Sequence, residues 1–387
     1  MKLGEVCESI SQTFRRSLDE VVLINTSDVF DGKVTNHIYV QNENLRGQFK
    51  KSFRHNDILY SEIRPKNRRF AFVDFDSSDY IASTKLMVIR SNERVLPEFL
   101  FQVLKSDEVI DLLQSFAETR SGTFPQITFT ELASIDVSIP TISEQRVIAA
   151  TLRAYDDKIA NNTKINHHLE QMAQAIYKSW FVDFEPFGGV MPDDWREGTI
   201  ADTCSAIYNG GTPRRNEPLF WSNEVPWLTS GEVRQAIIAK TENFISEAGL
   251  SGSTAKWVPT LSTVIALYGA TAGQVSMVAL PLTTNQAICS LVPKENCTYY
   301  NYLCMRNAIR ELENQAIGSA QQNISKCIVE ETLCLIPDNK TLAEFESMAS
   351  PFFFSWITNL EESNRLAQLR DTILPRLMSG ELSVADI

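Results

Sequence analysis

No run of about 18 uninterrupted apolar residues occurs in this chain, so it offers no candidate membrane-spanning helix. The opening residues MKLGEVCESI lack the apolar stretch of a secretory signal, and a cytoplasmic location with no membrane contact is expected. Cysteine is sparse: seven residues, at 7, 204, 289, 297, 304, 327 and 334, form no C-x-x-C pair. An odd count without such pairs excludes a disulfide scaffold and points to free thiols in a reducing compartment. The four histidines fall in no metal-ligand spacing. There is no G-x-x-x-x-G-K-[ST] loop, no helix-opening G-x-G-x-x-G, no H-E-x-x-H and no G-x-S-x-G elbow. Also missing is the Asn/Asp-Pro-Pro-Tyr/Phe tetrapeptide with which amino-methyltransferases hold a target amine. The carboxylates Asp74, Asp76 and Asp79 cluster, but no lysine-bearing strand pattern accompanies them, and they read as an acidic turn. No catalytic site, metal or cofactor is expected on the chain itself.

What the chain does have is a long internal repeat. Its 387 residues, 43% hydrophobic and 22% charged, suit an ordinary folded protein of about two to four domains. Features of the first half recur about 200 positions later, in the same order. Cys7 and Ile10 answer Cys204 and Ile207, and Thr26–Val29 answers Thr229–Val233. Ile81–Val88 answers Leu282–Cys289, and Gly122-Thr123 with Gln126-Ile127 answers Gly318-Ser319 with Asn323-Ile324. In each half a β-like run ending in Ile-Pro, at 139–140 and 336–337, precedes a T-x-x-E sequence, Thr141–Glu144 and Thr341–Glu344. Both predict a capping box at the start of a helix. The expected organisation is a domain over 1–140, a helix over 141–185, a second domain over 190–338 and a second helix over 341–387. The fold class is α+β.

The formal net charge of -12 counts against nucleic acid, but its distribution does not. Between Leu45 and Phe70 stand Arg46, Lys50, Lys51, Arg54, Arg64, Lys66, Arg68 and Arg69 against only Asp57 and Glu62. Phe49, Phe53, Tyr60 and Phe70 are interleaved, a pattern that fits phosphate contact, although a solvated charged face would read alike. In the second half, Asn209-Gly210-Gly211-Thr212-Pro213-Arg214-Arg215 takes the matching role. Its two glycines permit an unusual backbone path and two arginines sit at its tip; a plain turn is the alternative.

Along the first helix an alternating four-three spacing runs through Ile148, Leu152, Tyr155, Ile159, Asn162, Asn166, Leu169, Ala173, Ile176 and Trp180. That is a coiled-coil seam with a polar middle. The second helix offers Phe345, Met348, Phe352, Trp356, Ile357, Leu360, Leu366, Leu369, Ile373 and Leu377, interrupted by Pro351 and Pro375. The two helices are expected to pair antiparallel about an approximate twofold axis. At 1.5 Å per residue, about 30 residues span roughly 45 Å, more than one turn of B-DNA. Two amphipathic helices packed on their own domains would be the alternative.

Several strings resemble the specificity subunit of type I restriction-modification systems. Gly210-Gly211-Thr212-Pro213 with Trp221 and Val225-Pro226-Trp227-Leu228 is similar to the opening of that family's target recognition domain. Tyr268–Gly273 and Thr284–Ile288 are similar to its later motifs, and Glu144-Gln145-Arg146 through Ile159 to its central helix. Ser179–Phe184 is similar to the end of that central region, and Leu369–Glu381 to the family's second conserved helix. The first half departs from the pattern, with Ser11–Arg16 where the GGTP loop would stand.

The resemblance implies two target recognition domains on long antiparallel helices, reading a split target in double-stranded DNA. It implies as partners two modification subunits, which bind S-adenosylmethionine and methylate adenine, and restriction subunits using ATP and Mg²⁺. None of those cofactors is expected on this chain. Arg64, Lys66, Arg68 and Arg69 are the candidates for backbone phosphate contact or groove entry in the first domain. On the second domain the candidates are Thr212, Arg214 and Arg215, with Thr229, Ser230, Thr271, Asn285, Gln286, Gln321, Gln322 and Asn323 as polar readers. The seam around Asn162 and Asn166 and the outer helix faces are the expected docking surface for modification subunits. Two other readings stay open: a decoy that sequesters modification subunits, and a fused enzyme with an unrecognised catalytic site.

Overall fold

The computed structural model describes all residues except 16–17, 44, 46, 121–124, 310–322, 379–380 and 384–387. The chain divides into two compact units, Met1–Ile159 with Asn364–Ile387, and Ala160–Ser363.

In the first unit, eight strands build two sheets: β1 (Cys7–Ile10), β2 (Glu20–Ile24), β3 (Tyr39–Gln41), β4 (Phe49–Lys51), β5 (Ile58–Ser61), β6 (Phe70–Phe72), β7 (Tyr80–Ser83) and β8 (Leu86–Ser91). Their orders are β1-β8-β5-β6 and β3-β2-β7-β4. Helices α1 (Pro97–Leu104), α2 (Asp107–Arg120) and α3 (Phe129–Ala133) follow, then the long α4 (Ile142–Phe181). The run Leu86-Met87-Val88-Ile89 shows no polar alternation because both its faces are covered. Ile58, Tyr60, Met87 and Ile89 pack with Phe99, Leu100 and Leu113 of the helices. Leu59, Leu86 and Val88 point the other way, onto Val22, Ile24 and Ala82 of the second sheet. The domain is therefore layered sheet, sheet, helix.

In the second unit the same plan recurs with β9 (Cys204–Asn209), β10 (Val225–Leu228), β11 (Asn243–Ile245), β12 (Trp257–Val258), β13 (Thr263–Ala266), β14 (Val275–Val278), β15 (Leu282–Thr284) and β16 (Ile288–Pro293). Besides a one-turn helix at Glu247–Ser251, the helices are α5 (Thr298–Asn307), α6 (Lys326–Glu330) and the long α7 (Asn339–Met378), whose residues from 364 on belong to the first unit. The sheet orders are β9-β16-β13-β14, extended at the β14 edge by Ile237–Ile238, and β11-β10-β15-β12. Each strand repeats the place of the one eight earlier. Even the sense is kept: β2 lies parallel to β7 and β10 parallel to β15, while the other pairings among these sixteen strands are antiparallel.

The start of α4 is the expected capping box. The Thr141 N–H donates to Glu144 Oε2 at 2.8 Å, and the Glu144 N–H to Thr141 Oγ1 at 3.4 Å. The second box is not formed as expected. Asp338 caps α7, its Oδ1 accepting from the N–H groups of Lys340 and Thr341 at 2.9 and 3.0 Å, so Thr341 lies inside the helix. Pro351 and Pro375 both lie within α7 without ending it.

Within the first unit, Ile148 and Leu152 of α4 share a core with Leu374 and Leu377 of α7. Beside them Asp156 binds Lys105 and, at 2.9 Å, Arg370. Burial pushes the Asp156 carboxyl up, but the two cations outweigh it and leave it below its ordinary value. In the second unit, Ala173, Tyr177 and Phe181 pack with Phe345, Phe353 and Trp356. Asn162, fully buried, donates to Glu362 Oε2 at 2.7 Å and Ser363 Oγ at 3.2 Å, and Asn359 donates to Asn166 Oδ1 at 2.9 Å. These contacts run the two helical segments antiparallel in this unit. Tyr155, Ile159, Leu366 and Ile373 in the first unit and Leu169, Ile357 and Leu360 in the second are half-buried.

Two expectations are corrected here. Met348 and Leu369 are exposed, and Ala349 and Phe353 take the buried positions expected of Met348 and Phe352, because the helix meets its domain as well as its partner helix. Asn162 and Asn166 face α7 and are buried, so they present no surface to another subunit.

Candidate nucleic-acid interface

In the second unit, four loops at one end of the strands are tied together by hydrogen bonds. After β9, Gly211 N–H donates to Thr284 O at 2.8 Å. A Cβ at Gly210 would stand 2.1 Å from Thr284 O, and one at Gly211 2.4 Å from the Ala255 nitrogen. The glycines serve close approach, and neither has a positive φ, which corrects the expected unusual backbone path. Trp227 Nε1 donates to Gly211 O at 3.0 Å and Trp221 Nε1 to Arg214 O at 3.2 Å, with the two rings edge-to-face at 5.3 Å. This bracing explains why the glycine loop, Trp221 and Val225-Pro226-Trp227-Leu228 occur together. It leaves Arg214 and Arg215 exposed at the tip.

Thr212 Oγ1 bonds the side chain of Gln286, itself exposed in the β15–β16 turn. Asn285 Oδ1 accepts from Ala287 N–H at 3.0 Å and closes that turn. Next, Leu267 N–H reaches Ala287 O, Ile324 N–H reaches Leu267 O, and Tyr268 bridges Asn323. The following turn needs positive φ at Gly269 (81°) and Gly273 (85°). Tyr268, 42% exposed, and Asn323 are its outward members.

The first unit has the same interlock. Glu62 N–H donates to Lys85 O at 3.1 Å, Ile127 N–H to Glu62 O at 2.8 Å, and Ile63 bridges Gln126. The turn that matches Gly269–Gly273 is Arg64–Arg68, with φ of 44° at Arg64 and 51° at Arg68. The basic run therefore corresponds to the Tyr268–Gly273 string and not to the glycine loop, as the charge pattern had suggested. Two arginines holding a conformation that suits glycine mark a backbone fixed by its surroundings.

Placement sorts the candidates. Arg64, Lys50 and Arg54 are exposed. Lys66 pairs with Asp111 at 3.2 Å, and Arg68 with Asp107 at 2.9 Å and Asp31 at 3.4 Å. Arg69 donates to Ser27 O at 3.0 Å and lies 5.3 Å from the centre of the Phe30 ring. Lys51 turns inward to Leu86 O at 2.7 Å, where burial lowers its pKa; it is not a phosphate contact in this conformation. Thr271 is buried and donates to Ser230 O at 2.8 Å, and Thr229 caps the turn ending at Glu232. The hydroxyls of Thr271 and Thr229 hold the frame, while Ser230, half-buried, contributes its backbone carbonyl to it. Arg46, Gln321 and Gln322 lie outside the described residues. Sequence reasoning missed Tyr268, an exposed aromatic beside the readers, although its string had been singled out. Among the described residues, no three His, Cys, Asp or Glu side chains come together as a metal set.

Two copies of one layered domain, each with interlocked loops bearing exposed basic and amide side chains, define a duplicated recognition protein. The family model for the type I restriction modification DNA specificity domain matches residues 1–171 and 192–341. The type I restriction enzyme HindI specificity subunit of Haemophilus influenzae is 33% identical over 98% of each chain. The MjaIX specificity subunit of Methanocaldococcus jannaschii is 24% identical, over 76% of this chain and 71% of its own. The crystal structure of the type I system S subunit from M. genitalium has the same fold, with a TM-score of 0.57 and 14% identity over 98% of this chain and 95% of that one. The chain belongs to the type I restriction-modification specificity subunit family.

Proposed function

We propose that each domain reads one half of a split target in double-stranded DNA, and that the chain does no chemistry itself. The observation that carries this reading is the repetition of the interlocked loop cluster, with different side chains on a common frame. Arg214 and Arg215 in one domain and Arg64 in the other project from it. Arginine pairs with guanine, and Gln286 and Asn323 are of the type that pairs with adenine. Lys50 and Arg54 join as phosphate contacts, and Lys66, Arg68 and Arg69 do so only by giving up their present partners.

The long helices fix the gap between half-sites: 40 residues of continuous α4 rise about 60 Å. Two modification subunits, which supply S-adenosylmethionine and methylate adenine, dock on the outward helix faces. Restriction subunits supply the ATP- and Mg²⁺-dependent steps. Filter binding of the assembled complex tests the reading. Specific retention of duplex DNA is expected, with Arg64→Gln lowering affinity. Assembly with modification subunits but no duplex retention would identify a decoy instead.

A further inference from the structure

The loop after β1 differs from its glycine-bearing counterpart in what it encloses. Ser11–Arg15 runs beside β4, with Phe14 N–H donating to Lys50 O at 2.8 Å and Ser52 N–H to Gln12 O at 2.9 Å. In the second domain the corresponding loop packs its glycines against Thr254, Ala255 and Thr284. In the first it borders a cavity of about 550 Å³, lined by Arg15, Arg54, Arg90, Thr13, Phe14 and Ser78 among others. Asp57, fully buried, holds Arg90 through Nε at 2.7 Å and Nη2 at 2.8 Å. Among the described residues, Arg90 Nη1 has no partner, and neither Arg15 nor Arg54 has a carboxylate. Glu8 stands opposite Arg90 across the β1–β8 pair and adds to the stabilisation of its charge, whereas Asp76 accepts from Ser78 N–H at 3.0 Å and Asp79 from the Tyr39 hydroxyl at 2.5 Å. Three guanidinium groups thus line one polar space, with one fixed from behind and two uncompensated. Such groups repel unless an anion lies between them, and guanidinium forks match phosphate oxygens.

We propose that this cavity seats a phosphate, and that the phosphate is a phosphodiester of the target strand. Arg15, Arg54 and Arg90 Nη1 would hold it, so the first domain anchors DNA through a cavity where the second uses a glycine loop. The inference rests on reading the chain as a duplex-binding protein.

The test measures binding of the full chain to a mixed-sequence duplex from about 50 to about 200 mM salt, where each phosphate contact contributes about 0.9 to the log–log slope. The double variant Arg15→Gln/Arg54→Gln should keep its thermal midpoint and lower the slope by about one such contact. Arg15→Lys/Arg54→Lys should restore most of the slope, because counterion release counts charge. In parallel, inorganic phosphate and adenosine monophosphate are titrated calorimetrically into the wild type and the Gln variant. An unchanged slope in the Gln variant overturns the proposal while duplex binding itself stands. Phosphate binding that the Gln variant loses, with an unchanged slope, assigns the cavity to a free phosphate and also overturns it. If the wild type shows no salt-dependent duplex binding, the reading beneath the proposal fails.

Discussion

Gly211 shows how a single residue carries the site. Its missing Cβ lets the loop lie against Thr254 and Ala255, and Trp227 then locks its carbonyl. Gly211→Ala would force backbone apart, so a cost of about 1 to 3 kcal/mol is expected in urea unfolding, with weaker duplex binding. A variant as stable as wild type would remove the close-approach argument. Sequence alone marked Gly210, Gly211, Arg214 and Arg215 as one unit, and the structure keeps them together. It could not separate readers from frame among the polar residues. Thr271, Thr229 and Gln286 are alike in composition, yet hydrogen bonding to Ser230 and Glu232 commits the first two while the third stays exposed. Nor could it show that Lys51 points inward, since that depends on Leu86 in a strand distant in sequence.

At the scale of elements, the ends of the long helices were legible where the signal is local. Thr141 and Glu144 suffice for the first cap; at the second, Asp338 lies three residues ahead of Thr341 and wins because its carboxylate accepts two helical N–H groups. The seam was readable by period, but its register near Met348 was not, since the domain as well as the partner helix decides which side is buried. Asp156 ties α1 and both long helices together in the first unit through Lys105 and Arg370. Asp156→Asn should leave Lys105 without its carboxylate and Arg370 with Asp371 alone, and cost about 3 kcal/mol, read as a lower urea midpoint.

Glu346 of α7 caps α5, its Oε1 accepting from Tyr299 and Tyr300 N–H at 2.8 and 2.9 Å. Burial raises its pKa from 4.5 to about 7. A raised pKa means the folded state holds the proton more tightly. The stabilisation is full below about pH 4.5 and lost as pH rises through about 7. Glu346→Gln should therefore be more stable than wild type at pH 8, by about 3 kcal/mol, and flatten stability between pH 5 and 8. Equal pH dependence in both proteins would contradict this assignment.

For the whole molecule, the repeat was the most legible feature, because order and spacing survive where side chains diverge. Sixteen strands in two identical sheet orders account for it physically. Matching loops by composition failed, since Arg64–Arg68 and Gly269–Gly273 share a backbone path but no residue type. Gly122-Thr123 and Gly318-Ser319, also matched in sequence, lie outside the described residues. On the proposed reading, two diverged readers on one chain specify a split DNA target. The most direct measurement is adenine methylome sequencing of cells with and without this protein, its modification subunits present in both. The expected result is a bipartite motif, two short specific halves separated by a fixed gap of unspecified bases, methylated only when the protein is made. A methylome indifferent to the protein, or a single continuous motif, would contradict the claim.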